Sequence, residues 1–232
     1  MSARRAIVRD ALGIGIASGA YALSFGAIAT TAGLSLLQTA SLSVLMFTGA
    51  SQFALVGVIG SGGSVWAGAA TAALLGTRNG LYGLRLSTLL NVHGLRRLLA
   101  SHFVIDETTA MAIARTDDRD ARFAFWATGV ALFVLWNLGT LVGALATHAL
   151  SNPKVLGLDA APPAAFLALL APRLRSREPI AIALGAGAVA LIVVPFVPAG
   201  TPLLIVAALV ALIGLRRVPA VRSNDDADGR AR

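Results

Sequence analysis

Long apolar blocks alternate with short polar breaks along almost the whole chain. Most of these blocks approach or exceed the roughly 20 residues that an α-helix needs to cross a bilayer. The blocks occupy residues 11–32, 36–59, 66–90, 123–145, 155–171, 180–197 and 203–215. The pattern predicts an all-α fold, a polytopic integral membrane helical bundle. We expect a single transmembrane domain over residues 8–217, followed by a disordered polar cytoplasmic tail over residues 218–232.

The composition agrees with a membrane protein, because 56% of the residues are hydrophobic and only 13% are charged. A soluble domain has roughly a quarter charged residues. The net charge of +8 does not indicate a nucleic-acid-binding protein, since the arginines cluster at the ends of apolar blocks, as cytoplasmic loops do. The clusters are Arg4, Arg5 and Arg9; Arg96 and Arg97; Arg115, Arg119 and Arg122; Arg173, Arg175 and Arg177; and Arg216, Arg217 and Arg222. The chain contains no cysteine, which excludes disulfides and thiolate metal sites.

The basic clusters conflict with a simple topology. If every block crosses once and the N-terminus is cytoplasmic, Arg96 and Arg97 fall on the outer side, against the positive-inside rule. One alternative is that residues 36–59 enter the membrane and return on the same side. The other is that residues 103–114 form a helix that crosses or half-crosses. We therefore predict six or seven transmembrane segments, at least one of them broken or re-entrant, with both termini cytoplasmic.

Polar residues interrupt the second block within FTGASQF, where Thr48, Gly49, Ser51 and Gln52 follow one another closely. They suit a helix break in which freed backbone groups point into a cavity. In transporters, half-helix N-termini bind carboxylates and carbonyl ends bind cations. These four residues are predicted to bind a substrate that carries both charges. The alternative is an intact helix in which Ser51 and Gln52 bond a neighbouring helix.

A second polar group lies in GTRNGLYGLR, where Arg78, Asn79 and Tyr82 are predicted to bind substrate. An arginine at mid-membrane costs at least about 2.5 kcal/mol on insertion scales, so it faces a cavity or a partner. Asn79 and Tyr82 lie three residues apart and share a helix face. The alternative is that Arg78 simply marks the cytoplasmic end of its span.

Three acidic residues are candidates for proton or ion coupling. Asp106 and Glu107 lie in the otherwise apolar FVIDETTAMAIA, where Asp106 can pair with Arg78 or carry a proton. The alternative is an acidic first turn of a helix. Asp159 precedes Pro162 and Pro163 and either caps a half-helix or marks a loop–helix junction.

His102 lies four residues before Asp106, so the two residues are predicted to share a helix face. No third and fourth ligand stands at a recognisable spacing, and neither a metal site nor a cofactor is predicted.

Small residues and tryptophans are predicted to serve helix packing. Stripes at a spacing of four let helix backbones approach closely in lipid. They comprise Gly15 and Gly19; Gly139 and Gly143; and Gly68, Ala72, Gly76 and Gly80. Trp66, Trp126 and Trp136 are interpreted as interface anchors or packing residues. The sequence carries no strong internal repeat.

Four stretches occur in the order FTGASQF, GTRNGLYGLRL, IDETTA and LGLDAAPPAAFLALL. Together they resemble the AzlC family of branched-chain amino acid permeases, over roughly residues 8–215. The resemblance implies efflux of branched-chain amino acids across a bacterial cytoplasmic (inner) membrane. It also implies a small membrane partner of the AzlD (YgaH) type. Two positions depart from the family pattern: Thr48 stands where alanine is common, and Asn79 stands where histidine commonly follows Arg78, which argues against a proton relay there.

The favoured interpretation is the large subunit of an amino acid exporter rather than an enzyme. A phosphate-cradling P-loop is absent from the sequence, which favours ion-coupled secondary transport. One alternative is a membrane-embedded enzyme that uses His102, Asp106 and Glu107 as acid–base groups, although no nucleophile–base pair stands out. Another is a non-transporting assembly or sensor subunit.

Overall fold

A computed structural model describes residues 3–149 and 174–197, with isolated positions between 167 and 210. Every regular element in this part of the chain is helical. The helices are α1 (Ala3–Thr31), α2 (Leu36–Leu45), α3 (Ala50–Gly60), α4 (Val65–Leu90), α5 (Leu95–His102), α6 (Asp106–Ile113), α7 (Asp118–Ala149) and α8 (Arg177–Val193), followed by a 3₁₀ turn at Val194–Phe196. Most of the predicted blocks 155–171 and 203–215, together with Asp159 and the predicted tail 218–232, lie outside the described residues.

Three of the described helical segments are long and apolar enough to cross a membrane: Ala3–Thr31, Asp118–Ala149 and Arg177–Phe196. Together with the shorter apolar helices, they confirm the predicted all-α membrane bundle. Helix α4 has a spanning length of 26 residues but carries Arg78 and Arg85 in its apolar sequence. The total of six or seven spans stays a prediction, since it depends on residues that the structure does not describe.

Helices α1 and α7 form the centre of the bundle and run parallel to each other. A Cβ atom on Gly15 would meet Leu135, and one on Gly26 would meet the carbonyl oxygen of Thr140. A Cβ on Gly139 would collide with the carbonyl oxygen of Gly19. Residue numbers therefore rise together along both helices, and glycine is needed where their backbones touch. The packing role predicted for the glycine stripes of α1 and α7 is confirmed.

Within the described residues, the predicted stripe on α4 serves packing in its first half alone. Gly68 is buried, and a Cβ there would approach the Leu55 side chain of α3 at 2.8 Å. A Cβ on Gly80 would meet nothing within 4 Å among the described residues. Helix α3 therefore covers the beginning of α4.

One end of the bundle, here called the basic end, collects arginines from α1, from the connection between α6 and α7, and from α7. Arg115 Nη2 lies 3.5 Å from Asp10 Oδ2. The guanidinium of Arg4 lies 5.3 Å from the centre of the Phe123 ring. Arg122 Nε donates a hydrogen bond to the Leu89 carbonyl over 2.8 Å. These contacts place the start of α1, the end of α4 and the start of α7 together.

Helices α2 and α3 form a hairpin that enters from the opposite end of the bundle. Helix α2 begins just after α1 ends, and Gly60 at the end of α3 packs against Ala32, so both outer ends of the hairpin lie together. The chain reverses its direction halfway along the bundle. There the centre of the Phe47 ring lies 5.2 Å from the centre of the Phe133 ring of α7. The broken helix predicted in block 36–59 is confirmed, and it returns to the side from which it came.

Helices α5 and α6 form a second hairpin, which enters from the basic end. Helix α5 follows α4 after a connector of four residues. Its last residue, His102, packs with its ring centre 5.9 Å from that of Phe47. Helix α6 then leads back toward Arg115 at the basic end. It contains eight residues, so it is about 12 Å long and by itself too short to cross a bilayer.

The prediction that His102 and Asp106 share a helix face is wrong, because His102 ends α5 and Asp106 begins α6. The intervening residues form the tip of the second hairpin. There the His102 ring lies 5.7 Å from the rings of both Phe103 and Phe133. His102 is thus a packing residue where the two hairpin tips meet.

The two halves of this arrangement repeat one architecture in opposite directions. A long helix, a four-residue connector and a helical hairpin make up α1–α3, and the same three parts make up α4–α6. The long helices α1 and α4 run in opposite directions, so the hairpins enter from opposite ends and meet tip to tip. Inverted repeats of this kind place substrate sites of secondary transporters near the bilayer midplane.

We predict that the outer ends of the two hairpins label from opposite sides of the membrane. The native chain lacks cysteine, so Ser61→Cys and Arg97→Cys each introduce one thiol. In right-side-out vesicles, a membrane-impermeant maleimide should modify one of these variants and spare the other, and inverted vesicles should reverse the result. Labelling of both variants from the same side would contradict the opposite entry of the hairpins.

We also predict that Gly26→Ala destabilises the fold, because its methyl group would meet the α7 backbone at Thr140 and Ala144. Overpacking of this kind costs about 1–3 kcal/mol. Gly13→Ala is the matched control, since nothing lies within 4 Å of the added atom. Thermal unfolding in detergent should show a lowered midpoint for Gly26→Ala only. Equal midpoints for the two variants would contradict the close approach of α1 and α7.

Candidate functional site

A cavity of about 490 Å³ lies where the two hairpin tips meet α1, α4 and α7. This volume is within the roughly 300–1,000 Å³ that is typical of small-molecule sites. Both hairpins contribute the turn that begins their second helix. Its lining includes Ser18 and Tyr21 of α1; Phe47, Thr48, Gly49 and Ala50 of the first hairpin; Leu75 and Arg78 of α4; Ile105, Asp106 and Glu107 of the second hairpin; and Leu132 and Trp136 of α7.

An ion pair forms the charged side of the cavity. Arg78 Nη1 lies 2.9 Å from Asp106 Oδ2, and their side chains are 26% and 31% exposed. Arg78 stands near the middle of α4 and not at an end of this helix. The predicted pairing of Arg78 with Asp106 is confirmed. Pairing lowers the free-energy cost of placing each charged side chain inside an apolar helical bundle.

Asp106 and Glu107 occupy the first turn of α6 and also line the cavity. The acidic helix start and the pairing with Arg78, considered as alternatives from the sequence, therefore occur together. Carboxylates in a first turn also interact favourably with the positive end of the helix dipole. The α6 end of the cavity is thus supplied with negative charge by its own side chains.

The break between α2 and α3 depends on Gly49. Helix α2 ends at Leu45, and Gly49 precedes α3 with φ 60° and ψ −89°. Side chains strongly disfavour this backbone region, so a glycine is required. The nearest atom to a Cβ at this position would be Trp136 Cη2 at 3.8 Å, which is an ordinary contact. The requirement for glycine is therefore conformational rather than steric.

The fully buried side chain of Gln52 joins the two halves of the broken helix. Its Oε1 accepts a hydrogen bond from the Gly49 amide over 3.0 Å. Its Nε2 donates to the Leu42 carbonyl in the last turn of α2 over 3.1 Å. Both ends of the side-chain amide are thus used within the protein, and Gln52 is not among the residues that line the cavity.

The remaining residues that were predicted to bind substrate are not part of the cavity lining. Ser51 is buried and faces α4, where a Cβ on Gly76 would lie 3.8 Å from the Ser51 hydroxyl. Tyr82 packs against the apolar cluster around Leu86. Asn79 lies one residue beyond Arg78 on α4 and is also outside the lining. Thr48, Gly49 and Arg78 line the cavity, and the binding roles of all these residues stay predictions.

The sequence reasoning missed the aromatic side of the cavity. Tyr21 and Trp136 face each other across α1 and α7 with ring centres 6.3 Å apart. The ring centre of Phe53 lies 4.9 Å from that of Tyr21, so Phe53 packs against this aromatic side without being part of the cavity lining. The sequence offered one signal: Tyr21 lies two residues after Gly19, and Trp136 lies three residues before Gly139. These glycines are points at which α1 and α7 contact each other. The packing role predicted for Trp136 is confirmed, and its place on the cavity is new.

No cluster of three or more potential metal ligands among His, Cys, Asp and Glu occurs within the parts of the chain that the structure describes. Asp159, predicted to take part in coupling, lies outside those parts.

The profile of a family described as AzlC protein matches residues 13–150. The chain belongs to the AzlC family. The matched segment contains α1 from Gly13 onwards and the whole of α2 through α7, and therefore the helical segments that line the cavity. The resemblance noted in the sequence is confirmed.

The chain is also similar to the inner membrane protein YgaZ of Escherichia coli (strain K12), with 31% identity over 141 residues. The alignment covers 59% of this AzlC-family chain and 58% of YgaZ. The chain thus spans less than two thirds of the length of the curated relative that it matches. No solved structure matches the chain.

We predict that Gly49→Ala strains the hairpin tip by about 1–3 kcal/mol, because alanine disfavours a positive φ. Gly76→Ala is a matched control, since its Cβ would also meet only an ordinary contact at 3.8 Å but stands within the regular helix α4. Thermal unfolding in detergent should show a loss of stability for Gly49→Ala alone. Equal stability of the two variants would contradict the backbone conformation at the break.

Proposed function

We propose that this chain is the large subunit of an exporter of branched-chain, or similarly apolar, amino acids. It works by ion-coupled secondary transport. The observation that carries the proposal is the cavity at the tips of two oppositely entering hairpins, with charges of both signs on one side and aromatic rings on the other. Membership of the AzlC family supports the same class of activity.

The chemistry of the cavity matches an apolar zwitterion. Arg78, Asp106 and Glu107 provide partners for a carboxylate and an ammonium group. Tyr21 and Trp136 provide an apolar surface for an aliphatic side chain. A ligand that binds both surfaces at once gains from charge pairing and from burial of its side chain.

Ion coupling is assigned to the acidic groups. Asp106 neutralises Arg78 over 2.9 Å, so a proton or cation that binds at Asp106 weakens this pair and frees the guanidinium for another anion. Glu107 follows Asp106 on the cavity and is proposed to share the role, with Asp159 as a third candidate. Occupancy by the ion and occupancy by the substrate are thereby linked through one arginine.

The proposed location is a bacterial cytoplasmic membrane, supported by the apolar helices and by the name of the relative YgaZ, an inner membrane protein. We propose that the basic end faces the cytoplasm, because arginine-rich ends remain on that side. This orientation places the N-terminus in the cytoplasm; a cytoplasmic C-terminus is proposed with it. A small membrane protein of the AzlD type is the proposed partner.

A membrane-embedded enzyme is the less favoured alternative. His102, one of its three candidate acid–base residues, packs among phenylalanine rings at the hairpin tips and does not line the cavity with Asp106 and Glu107. A nucleophile with an adjacent base is the usual requirement for such catalysis. The arrangement of the described residues supports binding and translocation better.

We predict that Asp106→Asn lowers export by at least about tenfold while protein levels stay unchanged, since it removes the carboxylate that balances Arg78. The measurement is uptake of labelled leucine into inverted vesicles under an imposed pH gradient, with and without the partner. Asp10→Asn is the matched control. Asp10 also pairs with an arginine, Arg115, over 3.5 Å, and neither of these two residues lines the cavity.

The control variant should transport at close to the native rate. Undiminished export by Asp106→Asn would remove this residue from the mechanism. An equal loss in both variants would show that any broken ion pair impairs the protein, and would contradict a special role for the cavity.

A further inference from the structure

The two helix N-termini at the cavity differ in charge. Helix α6 begins with Asp106 and Glu107, whereas α3 has no acidic residue in its first turn. At each break a side chain caps one amide, from Gly49 or from Ile105. The following amides of a first helical turn have no partner within their own helix, and this terminus is the positive end of the helix dipole. The α6 terminus is compensated by its own carboxylates. The α3 terminus has no such compensation and lines the cavity through Gly49 and Ala50.

Gln52 fixes the position of the α3 terminus. By accepting from the Gly49 amide and donating to the Leu42 carbonyl, it prevents α2 and α3 from joining into one continuous helix. A continuous helix would use the amides of Ala50 and Ser51 in its own hydrogen-bond ladder. Gln52 therefore acts as a positioning residue, which keeps these amides directed away from α2.

Trp136 provides a second and independent sign of a ligand at this place. Its side chain lines the cavity and is 5% exposed, and its Cη2 lies 3.8 Å from the Cβ position of Gly49. Its indole Nε1 is a buried donor for which the described residues provide no acceptor. Buried donors without an acceptor cost about 1–3 kcal/mol, so such a group at a cavity indicates a ligand that accepts hydrogen bonds.

We infer that the first turn of α3, together with the Trp136 indole, binds the carboxylate of the transported molecule. Asp106 and Glu107 then receive its ammonium group at the opposite hairpin tip. This inference rests on the proposed function, and it replaces a direct contact of Gln52 with substrate by an indirect one. While Asp106 is ionised and paired with Arg78, the carboxylate is held by backbone amides and the indole. The guanidinium becomes available to an anion only when an ion at Asp106 weakens that pair.

The test uses three probes that separate the charged groups: leucine, isocaproate, which lacks the ammonium, and isopentylamine, which lacks the carboxylate. Binding to the full-length protein in detergent is measured by titration calorimetry. The variants are Gln52→Leu and Trp136→Phe. The matched control is Gln38→Leu, because Gln38 makes the same kind of capping bond to the Ser35 amide at the outer end of α2.

We expect the dissociation constants of leucine and isocaproate to rise about tenfold or more in both variants. Isopentylamine should bind them within about twofold of the native affinity, which also shows that they remain folded. Gln38→Leu should bind all three probes normally. A merely structural role of Gln52 would weaken the three probes alike and would overturn the inference.

Other outcomes distinguish the inference from the proposed function. If native protein binds leucine and both variants retain it, the carboxylate site lies elsewhere while amino acid binding stands. If native protein binds isocaproate but not leucine, and the variants lose isocaproate, the carboxylate site stands and the proposed substrate is wrong. If neither carboxylate binds native protein, both are overturned.

Discussion

Hydrocarbon provides no partner for an exposed peptide group, so a helix that breaks inside a membrane must satisfy its own ends. The rest of this structure depends on that constraint. At the first break Gln52 receives the Gly49 amide, and at the second the Thr108 hydroxyl receives the Ile105 amide over 3.1 Å. Each hairpin thus begins its second helix with the same device, a side chain three residues further on.

Because a side chain caps the first amide at each break, two short hairpins can end at mid-bundle instead of continuing across it. Their tips leave a space between α1, α4 and α7 that neither long helices nor loops would leave. The same geometry brings the Arg78–Asp106 pair to that space, since α4 passes it at mid-length and α6 begins there. The ion pair inside the apolar bundle therefore depends on the interrupted helices, because Asp106 lies at the start of α6.

The sequence was sufficient for the parts that depend on local chemistry. A glycine beside polar residues predicted the break, and the glycine stripes predicted close helix contacts. The conflict between the arginine clusters and a simple crossing pattern indicated a segment that returns to its own side. The pairing of Arg78 with Asp106 followed from the rarity of charge in apolar blocks.

Parts that depend on helix direction and rotation could not be predicted from the sequence. The parallel course of α1 and α7 alone brings Tyr21 opposite Trp136. Whether a polar side chain on α4 faces the cavity or a neighbouring helix depends on rotations of about 100° per residue, which is why Arg78 and the adjacent Asn79 differ. The inverted repeat is architectural, and the sequence shows no strong trace of it.

The contact of α1 with α7 also has a consequence for motion. Backbone touches backbone along this pair at glycines, with Gly19 against Gly139 and Leu23 against Gly143. Such surfaces leave no room for sliding or rotation, so these two helices form a stationary frame. Among the described helices, a rearrangement is therefore expected in the two hairpins, each of which is joined to its long helix by a connector of four residues.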